Sequence, residues 1–499
     1  MTNRFTTYGL SIRPPKVMLC SKNAACLLAA VLFSASVALA QAAKPRRPAE
    51  STNHHDILFV QTASLKAGRL SERFPRGSRI VRLNKGSTVP SDLTPNLFAV
   101  ADPRISFDGT SFLFAGKKDE AAAWQIWEMN PDGTGLRQLS HCDGNCLSPA
   151  WLPRDEITFT GESQDGQGNR TCRIYVSNRD GSNAHPITFG PGDYELETVL
   201  QSGLILASAR TPLRQREESD GSRSLYTIRP DGSGLESFRC DHRQAVIRSQ
   251  AEELQDGSVV FVKSGVHGPE AGGEMAEIER GATHNSTLGP ANEIIWSPRQ
   301  LEAEKLIVAR RAPAPGSGGR FDLYSYDFAQ GKFQGPIYKD SELSSVEAVP
   351  VAAHPVPRWY WSTLNSKAKA GYFICLDASL SADAPQGRLQ RKPARVRVLV
   401  LNAATNKEQN LGEAQVEQDG SFYIAVPPDS PLRFELLDGE GKVIHSQQSW
   451  IWARPGEEHG CVGCHEDRAV APPNRWPLAL RRFDTPSSLG VQVQPAAAH

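Results

Sequence analysis

The sequence carries no surplus of charge, few methionines and, beyond its first forty residues, no long apolar run. Lys and Arg number 55, as do Asp and Glu, which removes the electrostatic argument for nucleic acid or an acidic membrane surface as a partner. A bilayer span takes about 20 apolar residues, so no membrane span is expected in the mature chain. A phosphate-cradling glycine loop is missing as well, because the glycines fall where hairpin turns are expected. Ser, His and Asp residues and paired carboxylates are scattered, with no spacing that assembles a hydrolytic site. What the sequence does have is 41 glycines and 35 prolines in 499 residues, the composition of short strands joined by many turns. The length predicts two or three domains.

Residues 1–40 read as a secretory signal. Arg4, Arg13, Lys16 and Lys22 precede an apolar run from Ala24 to Ala40, which ends in Val37, Ala38, Leu39 and Ala40, with small residues where a signal peptidase reads them. Cleavage is expected after Ala40, followed by a linker over 41–54. An uncleaved anchor is the alternative, but the run is short for a span. The mature protein is therefore expected to be periplasmic or secreted. Cys20 and Cys26 leave with the signal. Cys142 and Cys146 sit four apart in a turn-rich stretch and can form a local disulfide in an oxidising compartment. Cys172, Cys240 and Cys375 read as buried small residues or a distant pair.

Residues 55–357 repeat with a period of roughly forty to fifty residues, the period of propeller blades. One copy runs Pro103, Ile105, Asp108, Gly109 and Phe112 to Phe114, then Ile126, Trp127, Met129, Asp132, Gly133, Leu136 and Leu139. It returns around Trp151 to Ile187 and around Leu204 to Leu235, with Asp180-Gly181 and Asp231-Gly232 at corresponding places. A tight hairpin needs a residue that tolerates positive φ, which gives each Asp-Gly its role. Weaker copies follow at Asp256 to Val262 and at Ile294 to Trp296 with Leu306 to Ala309 and Leu323 to Tyr326, and a degenerate one at Ile57 to Val60 with Arg79 to Leu83 precedes them. These predict about six blades, within a range of five to seven. The N-terminal strand is expected to pair near Val346 to Val351 and close the ring. Gly265 to Pro290 reads as a polar insertion, with His267, Met275 and His284 as candidate axial ligands or simply parts of a solvated loop. The segments "SFDGTSFLF" and "IWEMNPDGTGLRQLS" resemble the repeats of the TolB beta-propeller family, which implies the fold and leaves function open.

A different β pattern follows over 358–450. Tyr372 to Leu376 reads as a strand, and Val396, Val398 and Val400 alternate with Arg395, Arg397 and Leu399 as a strand with one buried face does. Asp419-Gly420 predicts a hairpin turn into Phe422 to Val426, and Leu432 to Leu437 is expected to pair with Val443 to Ser446. Together these predict a small antiparallel β-sandwich, making the chain all-β.

The tail, 451–499, holds Cys461, Val462, Gly463, Cys464 and His465. In a CxxCH run two thiols bond covalently to the vinyl groups of a haem while the next histidine ligates the iron. Cys461 and Cys464 are the expected attachment residues for one covalent haem c, with His465 the expected metal ligand. The alternatives are a disulfide, or a zinc site using Cys461, Cys464 and His465 with a fourth ligand. Trp450, Trp452 and Trp476, with nearby prolines, are expected to wall the ring. Arg454, Arg468 and Arg475 are candidate propionate partners or solvated charges. His459 and His445 are further candidates for the sixth iron ligand. The run "DGSFYIAVPPDSPLRFELLDGEGKVI" followed by "SWIWARPGEEHGCVGCHEDRAVAPP" resembles the hydrazine synthase alpha-subunit middle-domain family, in which exported propellers are joined to c-type haem. The resemblance implies haem c at Cys461 and Cys464 and His465 on the iron. Family members continue into a further haem-bearing domain, whereas no second CxxCH follows here. The expected function is therefore electron transfer to a redox partner protein through a single haem. The alternatives are a haem enzyme acting on a small nitrogen-type substrate, or a non-redox propeller scaffold with a zinc site.

Overall fold

The computed structural model describes residues 54–164, 170–210, 222–238, 246–265, 271–279, 282, 285–290, 292–311, 319–381, 384–402, 405, 407–464, 475–482 and 486–491. The signal segment 1–40, Cys240, His267, His284, His465 and Arg468 lie outside them. The described chain is β-rich throughout, with short 3-10 turns at Leu70–Glu72, Pro385–Gly387 and Leu478–Arg481. Among the described residues no helix is long and apolar enough to cross a membrane.

Six four-stranded antiparallel sheets form the propeller. Blade I is mixed in origin: Ser344–Pro350 pairs with Ile57–Thr62, which pairs with Arg79–Leu83 and then Ser91–Asp92. The ring is thus closed by the two ends of the repeat region, as the sequence predicts. Blades II to VI begin with Ala99–Ile105, Cys146–Leu152, Asp193–Val199, Val246–Glu253 and Ile294–Glu302. These first strands pack against one another around the ring. The Gly265 to Pro290 stretch is corrected: Glu274–Ile278 and Ser286–Leu288 are the third and fourth strands of blade V. Their outward positions are polar, which hid the repeat. Met275 is buried in that blade's core.

The Asp-Gly turns share one chemistry. Asp108, Asp132, Asp180, Asp231, Asp256 and Asp419 each accept the backbone N–H two residues on, at 2.9–3.0 Å. The side chain of the Ser or Thr at that position donates to the same oxygen. A carboxylate that satisfies two donors locally holds the turn without help from distant parts of the chain.

All six first strands are bulged at a matching level, shown by register shifts in every blade. Asp102, Ser148, Gln250, Ser297 and Glu347 take positive φ there. The bulge re-aims side chains toward the next blade. Glu347 accepts the Asp102 N–H at 2.7 Å, Asp102 the Ser148 N–H at 2.9 Å, Ser297 Oγ the Glu347 N–H at 2.8 Å and Glu197 the Ala251 N–H at 3.0 Å. Arg73 reaches in from the loop after Ile57–Thr62, 3.3 Å from Asp102 and 3.6 Å from Glu347. Burial pushes the Glu347 carboxyl up to about 7, with the Asp102 charge adding to the rise and Arg73 opposing it.

The second architecture is a sandwich of two four-stranded sheets. One is antiparallel and ordered Lys407–Gln415, Arg395–Asn402, Leu432–Leu437, Val443–Ser446. The other has Gly371–Cys375 antiparallel to Phe422–Val426 at its centre. Its edges are parallel: Glu458–Cys461 along Gly371–Cys375, and Ser487–Ser488 along Phe422–Val426. The antiparallel expectation therefore holds for one sheet and for the centre of the other. Segments from the tail arrive by long crossovers and so run parallel. The Asp419-Gly420 turn, expected to close a hairpin, instead crosses from one sheet to the other. A hairpin and an arch can share the same turn and differ only in distant pairing. The apolar core lies between the sheets, with Phe373, Val396, Val398, Ile424, Val426 and Leu432 fully buried.

Candidate cofactor-attachment site

The CxxC segment is an edge strand and the turn that follows it. Cys461 ends the strand Glu458–Cys461 and lies in register with Cys375 on the neighbouring strand. The Leu376 N–H donates to the Cys461 carbonyl at 2.9 Å, and the Cys464 N–H donates to the Leu380 carbonyl at 2.9 Å. Gly463 is demanded by this turn: a Cβ there would lie 2.7 Å from both Cβ and O of Leu380. Neither thiol is in a disulfide, and both are half-buried.

Both thiols open into a cavity of about 300 Å³ between the sandwich and blade IV. Phe422, Phe434, Leu436 and Trp450 line it from the sandwich, and Tyr226 and Leu235 from the propeller. The Arg433 guanidinium lies 4.3 Å from the Trp450 ring centroid. Two cysteines beside an aromatic and aliphatic wall are the groups that a covalently held porphyrin would use, sulfur at its edge and apolar contact over part of its surface.

The strand is joined to the propeller by the residues just before it. Trp452, 1% exposed, donates its Nε1–H to the Gly232 carbonyl at 3.1 Å and stands edge-on to Phe189 and Tyr194 at 5.9 and 5.7 Å. Arg454 donates from Nε to the Asp231 carbonyl at 2.9 Å, pairs with Asp429 at 2.7 Å and lies over Phe189. Glu457 accepts the Gly234 N–H at 2.8 Å. The Asp231-Gly232 turn of blade IV is thus the seat of the motif. Gly203 serves the incoming linker likewise: it has φ +83°, and a Cβ there would lie 2.2 Å from the Arg358 carbonyl oxygen.

Several expected roles are corrected by this geometry. Trp452 belongs to the interdomain joint and Trp476 is 64% exposed, leaving Trp450 as the tryptophan that lines the cavity. Arg454 is consumed by Asp231, Asp429 and Phe189, while Arg475 donates to the Asp419 carbonyl at 2.7 Å. Met275 is enclosed in blade V, and His445, on Val443–Ser446, is not among the residues lining the cavity. His459 does line it, with Nδ1 3.4 Å from Glu457. Cys142 and Cys146 form the expected disulfide, with Cα atoms 6.4 Å apart. Cys375, buried, and Cys172, half-buried, are in no disulfide.

Residues 374–466 match the family model described as the hydrazine synthase alpha subunit middle domain, in agreement with the resemblance read from the sequence. The hydrazine synthase subunit alpha of Kuenenia stuttgartiensis is 23% identical over 541 aligned residues, which cover 82% of this chain and 65% of that protein. The chain thus spans just under two thirds of the length of this curated relative. The solved Kuenenia stuttgartiensis hydrazine synthase shares the fold with a TM-score of 0.73 at 21% identity, over 87% of this chain and 72% of that one. TolB from Acinetobacter baumannii aligns at 14% identity with a TM-score of 0.42, over 66% of this chain and 73% of that one.

Proposed function

We propose that this chain is an exported c-type haem protein that passes electrons to a partner protein through one haem bound to Cys461 and Cys464, with His465 on the iron. The observation that carries the reading is that Cys461 and Cys464, neither in a disulfide, both line one cavity with an aromatic and aliphatic wall at the propeller joint. Bound there, haem supplies a one-electron iron couple. The chain's own residues do the rest: Trp450, Phe422 and Phe434 exclude water from one side, Tyr226 and Leu235 from the other, and Trp452 and Arg454 hold the attachment strand in place. Export through the N-terminal signal fits the compartment in which c-type haem is attached and in which Cys142 and Cys146 oxidise.

The test is an optical spectrum of the protein made in a host competent for c-type haem attachment. A Soret band and a sharp reduced α band, both lost in the Cys461→Ser/Cys464→Ser double variant, support the reading. Zinc without iron on metal analysis overturns it in favour of a scaffold. A second reading, a haem enzyme for a small nitrogen-type substrate, is favoured by the hydrazine synthase alpha match over 82% of the chain. Electron carriers usually hold both axial positions, whereas haem enzymes leave one open. Carbon monoxide binding to the reduced protein selects the enzyme, and a low-spin spectrum unchanged by carbon monoxide selects the carrier.

A further inference from the structure

A third cysteine stands beside the two of the CxxC segment. Cys375 ends the central strand Gly371–Cys375, Cys461 ends the parallel edge strand Glu458–Cys461, and the two are register partners. On its other side Cys375 is the register partner of Phe422. Cys461, Cys375 and Phe422 thus make one row across three strands, and all three line the 300 Å³ cavity. Side chains of one row leave a sheet on the same face. The row before it behaves in this way: His459 and Phe373 are register partners too, and their rings lie 5.2 Å apart.

The backbone holds these two cysteines at bridging distance. Neighbouring strands run about 4.8 Å apart, inside the roughly 4.4–6.8 Å over which a disulfide spans two Cα atoms. Hydrogen bonds fix the pair from both sides. Before it, the Tyr372 N–H donates to the Glu457 carbonyl at 2.8 Å; after it, the Leu376 and Asp377 N–H groups donate to the Cys461 and Val462 carbonyls at 2.9 and 3.1 Å. Cys464 lies past the turn and outside the row, its N–H on the Leu380 carbonyl. Exposure separates the partners: Cys461 is half-buried, whereas Cys375 is 1% exposed.

We propose that the haem-free chain closes a disulfide between Cys375 and Cys461, with Cys461 the sulfur that meets the oxidant and Cys375 the one that resolves the mixed disulfide. The oxidant is a disulfide-bearing oxidoreductase of the exporting compartment. The Cys461 thiolate attacks one sulfur of the oxidant's disulfide, and the other leaves as a thiol. The Cys375 thiolate then attacks the Cys461 sulfur and expels the oxidant's remaining thiol. Two protein thiols lose two electrons and two protons, and the oxidant's disulfide gains them; a dithiol reverses the exchange. The consequence for haem rests on the reading above. A thioether sulfur does not exchange, so attachment at Cys461 draws on the reduced chain and ends the cycle, leaving Cys375 as a thiol.

The test uses the full mature chain exported in a host without haem-attachment machinery. Thiols are trapped with N-ethylmaleimide after acid quenching, and the chain is digested without reduction. Linked peptides are then mapped by fragment mass spectrometry, with Cys142–Cys146 as the internal control for oxidation. Most of the chain is expected to show Cys375 joined to Cys461 and maleimide on Cys464. The same link should close in the purified reduced chain on adding oxidised glutathione. It should persist in Cys464→Ser, which removes the competing thiol. Adding Cys375→Ser to that background should raise the glutathione adduct at Cys461 by about tenfold or more; where this double variant does not fold, the wild-type and Cys464→Ser maps decide. A Cys461–Cys464 link with maleimide on Cys375, or maleimide on all three once Cys142–Cys146 has closed, overturns the proposal. A chain that forms the Cys375–Cys461 link yet takes up no haem in a competent host refutes the haem reading and leaves the exchange standing. Haem uptake by a chain whose Cys375 never cross-links overturns the exchange and leaves the haem reading standing.

Discussion

Trp452→Ala is expected to uncouple the two β architectures. The indole is 1% exposed, wedged edge-on against Phe189 and Tyr194, and it donates to the Gly232 carbonyl. Truncating a buried aromatic of this size costs about 3–5 kcal/mol, and the abandoned carbonyl adds to that. What remains of the joint is mostly polar and partly exposed: Arg454 to Asp231 and Asp429, Ser362 to Asp231, and Gly234 to Glu457. Such contacts contribute roughly 1 kcal/mol each, too little to hold two cores in one cooperative unit. Urea unfolding of the variant, followed by far-ultraviolet circular dichroism and by tryptophan fluorescence, should therefore resolve two transitions. Trp452→Phe separates the contributions, because it retains the edge-on packing and loses the indole N–H. It should remain a single transition, destabilised by about 1 kcal/mol. If Trp452→Ala unfolds in one transition within 1 kcal/mol of wild type, the joint is not where the coupling resides.

Glu347 tests the closure of the ring. Its folded pKa is raised from 4.5 to about 7, so the folded state holds the proton more tightly. The stabilisation is complete below pH 4.5 and is lost as pH rises through 7, a change on the order of 3 kcal/mol. Urea midpoints at pH 5 and 7.5 should differ less in Glu347→Gln than in wild type, and an identical pH slope refutes this assignment. Gly463→Ala forces a Cβ to within 2.7 Å of Leu380. It should cost about 1–3 kcal/mol and lower the yield of haem-loaded protein, read from the ratio of Soret to protein absorbance. Asp180→Ala and Asp132→Ala remove the acceptor of two turn donors each. Each should lower stability by about 1 kcal/mol without changing the haem spectrum.

Local chemistry was legible in the sequence, and long-range chemistry was not. The Asp-Gly turns, the closing strand near Val346 and the Cys142–Cys146 bridge each follow from a few adjacent residues or from a repeat length. The third and fourth strands of blade V were hidden because Glu274, Glu277 and Ser286 face outward and mimic a loop. The acceptors Asp102, Ser297 and Glu347 gave no signal, since a bulge is defined by the partner strand and not by the residue that bulges. Trp452 and Arg454 were read as cofactor walls and propionate partners because they precede CxxCH. Their actual neighbours, Phe189, Asp231 and Gly232, lie 220 or more residues away in the chain.

Blade I joins Ile57–Thr62, the first strand of the ring, to Ser344–Pro350, the last. All six residues of the early strand are buried, so until the late one arrives it presents an unpaired, apolar edge. A chain synthesised N-terminus first exposes that edge for as long as five further blades take to emerge. Pairing at such sequence separation is slow, and an exposed edge of this kind recruits strands from other molecules. The closing of this blade is therefore the step most open to competition, and dilution or a holdase chaperone should raise the recovered yield.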